Sequence, residues 1–259
     1  MELLKTMLAT RGIKAHLFTT VILALTVTSG CGVLPDWTAL PPLEPHQVRA
    51  LELGPSIADL PEVVPGGAQV GFGDAERQTL RVRNIRCLGL GTGTGFALDA
   101  HTIVTNRHVV DGMSSLELTT FDGRAITVDT VLVAEKADLA IVTTVEQLKT
   151  TAQLRDDDPS LGELVQIVGF PDGGRMTIST GTVRGFTTDP DNAAFGEVVV
   201  TDAEVAPGNS GSALLDSDGA IIGVVYAKTE TGWSMAIPVT TLIDLMATDG
   251  AFVKLATCN

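Results

Sequence analysis

Three polar residues stand in contexts that suit acyl transfer: His108 in VTNRHVVDG, Asp138 in KADLAIV and Ser210 in APGNSGSALLD. A serine hydroxyl is a weak nucleophile at neutral pH and needs a base to take its proton. Histidine fits that task because its ordinary pKa, about 6.5, lies near neutrality. A carboxylate on the far imidazole nitrogen fixes the tautomer and stabilises the imidazolium once it forms. Gly208 and Gly211 flank the serine and let the chain turn tightly, so the N–H groups of Gly208 and Ser210 are the expected oxyanion donors. Taken singly, each residue also has a plainer reading. His108 beside Val109 and Val110 suits a half-buried histidine, Asp138 a turn before an apolar strand, and Gly-Asn-Ser-Gly an ordinary turn.

The elements that must hold these residues are short and β-rich. Runs at 80–86, 93–99, 102–106, 115–121, 126–134 and 139–144 alternate with turn residues, and a second set follows at 164–170, 175–186, 197–205, 212–216, 220–228 and 233–239. Strands at this spacing without helical periodicity predict barrels or sandwiches, and two similar sets predict two barrels packed together, over about 78–150 and 160–240. Residues 238–247 predict one C-terminal helix, with Val239, Leu242, Ile243 and Met246 on one face.

The order His, Asp, Ser is that of the chymotrypsin lineage. Residues 78–248 resemble a trypsin-like serine protease domain of the HtrA/Deg type through GTGTGFALDAHTIVTNRHVVDG, ADLAIV, VGFPDG, TDAEVAPGNSGSALLDSDGAIIGVV and MAIPV. The resemblance implies an all-β, chymotrypsin-like fold of two six-stranded antiparallel barrels. It implies His108, Asp138 and Ser210 as the triad, Gly208 and Ser210 as oxyanion donors, and Tyr226, Ala227 and Lys228 on a strand that pairs with substrate backbone. Glu204 falls at the floor of the specificity pocket: pointing in, it favours a basic side chain; pointing out, it leaves Val205 and small apolar residues to line the pocket. Lys228 at the rim works the other way and favours an acid. No PDZ module is expected after residue 248. The chain is also similar to actinobacterial membrane-anchored periplasmic proteases of the acid-resistance type, which implies a Cys87–Cys258 disulfide. Closing a loop of that length contributes at most about 5 kcal/mol in chain-entropy models. Two positions depart from the pattern. Arg107 replaces a usual Ala beside the base and is expected to point away from it, and Ser212 replaces the second Gly after the nucleophile.

The remainder of the chain bears on location and partners. Lys5, Arg11 and Lys14 precede an eleven-residue apolar run at 17–27, too short to span a bilayer and suited to a secretory signal. Thr28-Ser29-Gly30-Cys31 resembles a lipoprotein cleavage site, although Thr28 stands where an aliphatic residue is usual. Residues 1–30 are therefore expected to be a signal, Cys31 a lipidation site anchoring the protein to a membrane, and 31–77 a tether that holds seven of the twelve prolines. The net charge of −14 and only 4% aromatic residues argue against nucleic acid as a partner. Gly91-Thr92-Gly93-Thr94-Gly95 lacks phosphate-loop spacing, the scattered histidines imply no metal site, and no cofactor is expected; the acidic turn at 156–158 is expected to be solvated. The expected activity is serine endopeptidase action on exported polypeptides. The alternative is a catalytically silent or partner-activated protease-like module that binds peptides or acts as a chaperone.

Overall fold

A computed structural model describes residues 73–189, 196–229 and 232–258. The expected signal, Cys31 and all but the last five residues of the expected tether lie outside them. The final turn of that stretch, α1 (Asp74–Arg77), is helical, and Ala75 packs on the core.

The first lobe contains β1 (Thr79–Arg86), β2 (Gly89–Ala97), β3 (Thr102–Thr105), α2 (Arg107–Val110), β4 (Met113–Thr120), β5 (Ala125–Ile126), β6 (Val128–Ala134) and β7 (Ala140–Thr144). The second contains β8 (Leu164–Gly169), β9 (Thr177–Thr188), β10 (Glu197–Thr201), β11 (Ala213–Leu215), β12 (Ile221–Lys228) and β13 (Ser234–Pro238), followed by α3 (Val239–Ala247) and β14 (Phe252–Lys254). The fold is the trypsin-like double barrel. The second lobe is a closed barrel in the order β10-β13-β12-β11-β8-β9. The first differs from the expected six strands: it is an eight-stranded sheet, β14-β6-β7-β3-β2-β1-β4-β5. The run at 126–134 breaks into β5 and β6, and the C-terminus returns to add β14 beside β6. Its three residues were too short to register as a strand in the sequence.

Alternation dictates the faces. On β1, Leu80, Val82 and Asn84 point inward while Arg81 and Arg83 point out. β12 is buried on both sides along Ile221 to Tyr226, because one face fills the barrel and the other meets the first lobe. That inter-lobe core joins Phe96, Val104 and Leu139 to Val168, Leu215 and Ile221. Helix α3 seals it through Leu242, with Leu245 packed alongside, and also buries Val239. Met246, expected on that face, is exposed. The acidic turn is likewise not merely solvated: Asp158 accepts from the backbone N–H and hydroxyl of Thr240, at 3.2 and 2.7 Å, and so caps the first turn of α3.

Cys87 and Cys258 are bonded, with their Cα atoms 6.1 Å apart. The connection between lobes is held by Arg155, which pairs with Glu163, Asp157 and Asp216. The Arg155 guanidinium holds the Glu163 carboxyl below the ordinary carboxylate range. A carboxyl whose folded pKa is depressed stabilises the fold above its unfolded pKa, near 4.3, and that contribution disappears as pH falls through the folded value. Glu163→Gln should therefore be less stable than wild type at pH 7, with the difference closing below about pH 4. Urea unfolding of both proteins across that range measures it, and a gap that persists into acid would refute the assignment.

Candidate active site

His108 sits on α2, one short turn after β3, and Asp138 lies just before β7. Asn84 reaches from β1 to donate to the carbonyls of Val109 and Asp111, at 2.8 and 3.0 Å, which fixes the end of α2. Asn106, fully buried, donates to the Asp138 carbonyl at 2.8 Å. The two asparagines thus anchor the segments that carry His108 and Asp138 from behind. The Asp138 carboxylate accepts twice from the same residue: Oδ1 from the His108 backbone N–H at 2.9 Å and Oδ2 from Nδ1 at 2.5 Å. A carboxylate only accepts, so Nδ1 carries a proton, and in the neutral ring Nε2 is left with the lone pair. The imidazole side chain is 48% exposed while the Asp138 side chain is 12% exposed, leaving the working nitrogen open and its partner enclosed. Arg107 is directed away from the imidazole: its guanidinium reaches the Ala134 carbonyl at 3.1 Å and Asp111 at 3.5 Å. The reason is helical, since one helical step turns the side chain by about 100°.

Ser210 lies on the turn between β10 and β11, and the peptide planes around it are individually pinned. Asp172 N–H donates to the Pro207 carbonyl at 2.5 Å, Thr94 Oγ1 donates to the Gly208 carbonyl at 2.7 Å, and Ser212 N–H donates to the Asn209 carbonyl at 3.0 Å. In a trans peptide the carbonyl and the following N–H point in opposite directions. With the Pro207 and Asn209 carbonyls bound to Asp172 and Ser212, the N–H groups of Gly208 and Ser210 each point away from those partners. Among the described residues neither of these N–H groups has an acceptor. Gly208 has φ +96°, and a Cβ there would strike the Phe170 carbonyl, so glycine is required. Asp172 adopts φ 54°, the left-handed region that Asp tolerates, to bring its N–H to Pro207.

Thr94 of β2 is the contact between lobes at this point. Its backbone N–H donates to the Ser210 carbonyl at 2.8 Å, its hydroxyl accepts from Phe170 N–H at 3.0 Å, and its own carbonyl accepts from Thr105 Oγ1 at 2.6 Å. In the sequence Thr94 stands only within a glycine-rich run, and neither it nor Asn84, Asn106 or Asp172 is marked out there for these roles. The available signal was a hydroxyl residue between two glycines, a pattern that Thr92 shares. Ser212, in the nucleophile turn, is fully buried.

Ser210 Oγ donates a long bond, 3.4 Å, to the Tyr226 carbonyl, and among the described residues it makes none to His108. Beside it lies a cleft of about 220 Å³ lined by Val205, Pro207, Asn209, Ser210 and residues 225–228. Tyr226, Ala227 and Lys228 all face it. Glu204 does not: it is exposed, because Ala203 and Val205 take the inward positions of that segment. The Tyr226 ring is buried, and its hydroxyl donates to Asp189 Oδ2 at 2.7 Å.

Comparison with known proteins agrees with this geometry. Residues 93–224, half of the chain, match the trypsin-like peptidase domain. "Protease Do-like 1, chloroplastic" of Arabidopsis thaliana is 34% identical over 170 residues, covering 59% of this chain and 38% of that protein. "Serine protease Do-like HtrA" of Bacillus subtilis is 35% identical over 165 residues, covering 57% and 37%. The chain thus spans little more than a third of the length of these relatives. Among solved structures, the active form of the Rv3671c protease from M. tuberculosis superposes with a TM-score of 0.63 at 21% identity, covering 71% of this chain and 85% of that one. The serine endoprotease from Yersinia pestis gives 0.59 at 24%, covering 67% and 63%. These structural likenesses concern the fold, while the domain match assigns the chain to a family: it is a member of the trypsin-like peptidases.

Proposed function

We propose that this protein is a serine endopeptidase acting on exported polypeptides through an acyl-enzyme. The observation that carries the reading is the pairing of one carboxylate, Asp138, with both donors of His108, beside a turn whose Gly208 and Ser210 N–H groups are aimed outward. The substrate backbone lies along residues 226–228 as an added strand, and the side chain before the cleaved bond enters the Val205-lined cleft, where small apolar groups fit. The Ser210 hydroxyl leaves the Tyr226 carbonyl and turns to His108 Nε2, which takes its proton as Oγ bonds to the substrate carbonyl carbon. The carbonyl oxygen gains the negative charge and is met by the Gly208 and Ser210 N–H groups. His108 then passes its proton to the departing amine, and a water repeats the sequence in reverse to release the acid.

Location at the cell envelope is part of the proposal. Its support is the signal-like N-terminus, Cys31 in a lipoprotein-like context, the Cys87–Cys258 bond, which suits an oxidising compartment, and relatives such as the "Probable periplasmic serine endoprotease DegP-like" of Hahella chejuensis. A peptide-binding module without activity has no use for a pre-aimed oxyanion pair. A partner-activated enzyme is the second reading, favoured by the one feature at rest, the hydroxyl bonded to Tyr226 rather than to His108.

Fluorophosphonate labelling of the purified protein tests for an activated serine without knowledge of the substrate. Wild type should label, and Ser210→Ala should not; a folded wild type that fails to label argues for the silent or partner-activated reading. A second test concerns Thr94. Thr94→Val keeps the shape but releases the Gly208 carbonyl, and kcat should fall about tenfold to a hundredfold with KM little changed, somewhat less than loss of a whole oxyanion donor. Thr94→Ser should restore most of it. Equal loss in both variants would mean that packing, not the hydroxyl, is what matters.

A further inference from the structure

Arg86 ends β1 at the hairpin beside the site and is not used by the mechanism above. Its Nη2 donates to the backbone carbonyl of His108 at 2.9 Å. Its guanidinium lies flat on Gly91, where a built Cβ would come within 3.0–3.2 Å of Nη2, Cζ and Nε. Nε is sealed without a partner. Arg83, Arg107, Arg155 and Arg184 each pair with a carboxylate, but none of the ion pairs among the described residues includes Arg86. In a chain with a net charge of −14, a cation without a carboxylate partner sits against the backbone of the residue that serves as base.

Its position relative to Ser210 follows from β2. Gly91 and Gly93 are two residues apart and share a face, about 6.6 Å from one to the next. A Cβ on Gly93 would lie 3.2 Å from the Ser210 carbonyl and 2.5 Å from Val109 Cγ1, and the next position along that face carries the Arg86 guanidinium. The cleft on the other flank of Ser210, lined by residues 225–228, takes the acyl half of a substrate. The leaving half must then run over the outer end of β2, where Gly93 lies buried beneath Val109 and the partly exposed Gly91 and exposed Thr92 reach the surface.

We propose that Arg86 is a specificity-determining residue that favours an acidic side chain, Asp or Glu, within the first two residues after the cleaved bond. The inference rests on the endopeptidase reading. Nη2 is committed to His108, which orients the guanidinium, and Nη1 makes no bond within the described chain and supplies the donors to the incoming carboxylate. Half-burial on Gly91 reduces screening of the charge, and the glycine is what leaves room for it.

The test is cleavage-site profiling by mass spectrometry, with the full-length protein digesting a library of peptides from a denatured proteome. Wild type should enrich Asp and Glu at the first two positions after the cut about three- to fivefold, the scale of a partly exposed ion pair. The enrichment should shrink in high salt. Arg86→Gln should abolish it even if overall turnover falls through the lost His108 contact, because the profile is a ratio among sites cut by one enzyme. Arg86→Lys should keep part of it. Cuts without acid enrichment in the wild type, or equal enrichment in Arg86→Gln, overturn the role of Arg86 and leave the endopeptidase reading intact. No cuts dependent on Ser210 would overturn both.

Discussion

Each of the three successive peptide planes between Pro207 and Ser210 has its carbonyl hydrogen-bonded, and the rest of the site depends on that. Two are held from within the second lobe, by Asp172 and Ser212, and the middle one by Thr94 of the first lobe. Backbone donors are effective at a developing oxyanion because they need not reorganise when charge appears. Here that condition reduces to three hydrogen bonds to carbonyls that face away from the reaction. The Phe170 N–H that binds Thr94 Oγ1 ties in the Asp172 turn as well, so the clamp closes on itself.

A clamp that spans two lobes requires the lobes to be fixed. The inter-lobe core provides this, since Phe96 and Val104 from β2 and β3 are fully buried against Val168, Leu215 and Ile221 from the second barrel. Phe96 stands two residues beyond Thr94 on the same strand, and Val104 precedes Thr105, whose hydroxyl binds the Thr94 carbonyl. The apolar residues that join the lobes and the polar residues that shape the turn thus alternate on the same short strands. Close packing beside the clamp is what converts a threonine hydroxyl into a positioning group, because interiors at crystal-like density transmit small displacements instead of absorbing them.

How much of this could be read in the sequence depended on the range of the signal. Alternating apolar residues announced nearly every strand of both lobes, because a half-buried strand carries its own periodicity. β14 was missed: Phe252–Lys254 becomes a strand only by pairing with β6 from across the chain. Leu245 took the place expected for Met246 because the partner surface, not the ideal helical wheel, decides which side chain is covered. The histidine, aspartate and serine were legible because their chemistry requires particular types in particular turns. Thr94, Asn84, Asn106 and Asp172 were not, because each acts on a main-chain group far along the chain, and such a partner leaves no mark at the residue itself. Which way Glu204 points was open in the sequence, and its neighbours decide it, since Ala203 and Val205 are the inward residues there.

The charge arrangement around Asp138 completes the logic of the site. Among the described residues the only ion-pair partner of its carboxylate is His108. Arg107, the adjacent cation, is drawn instead to Asp111 and the Ala134 carbonyl. Beside a neutral imidazole, Asp138 is satisfied by two N–H donors but faces no full positive charge. In the proposed reaction that charge appears only when Nε2 takes the serine proton and the ring becomes imidazolium. An Arg107 turned toward Asp138 would satisfy the carboxylate before the reaction began, and the pairing would favour ground state and transition state alike. Directing the arginine away reserves the ion pair for the moment of proton transfer, and only an interaction stronger in the transition state than before it lowers the barrier.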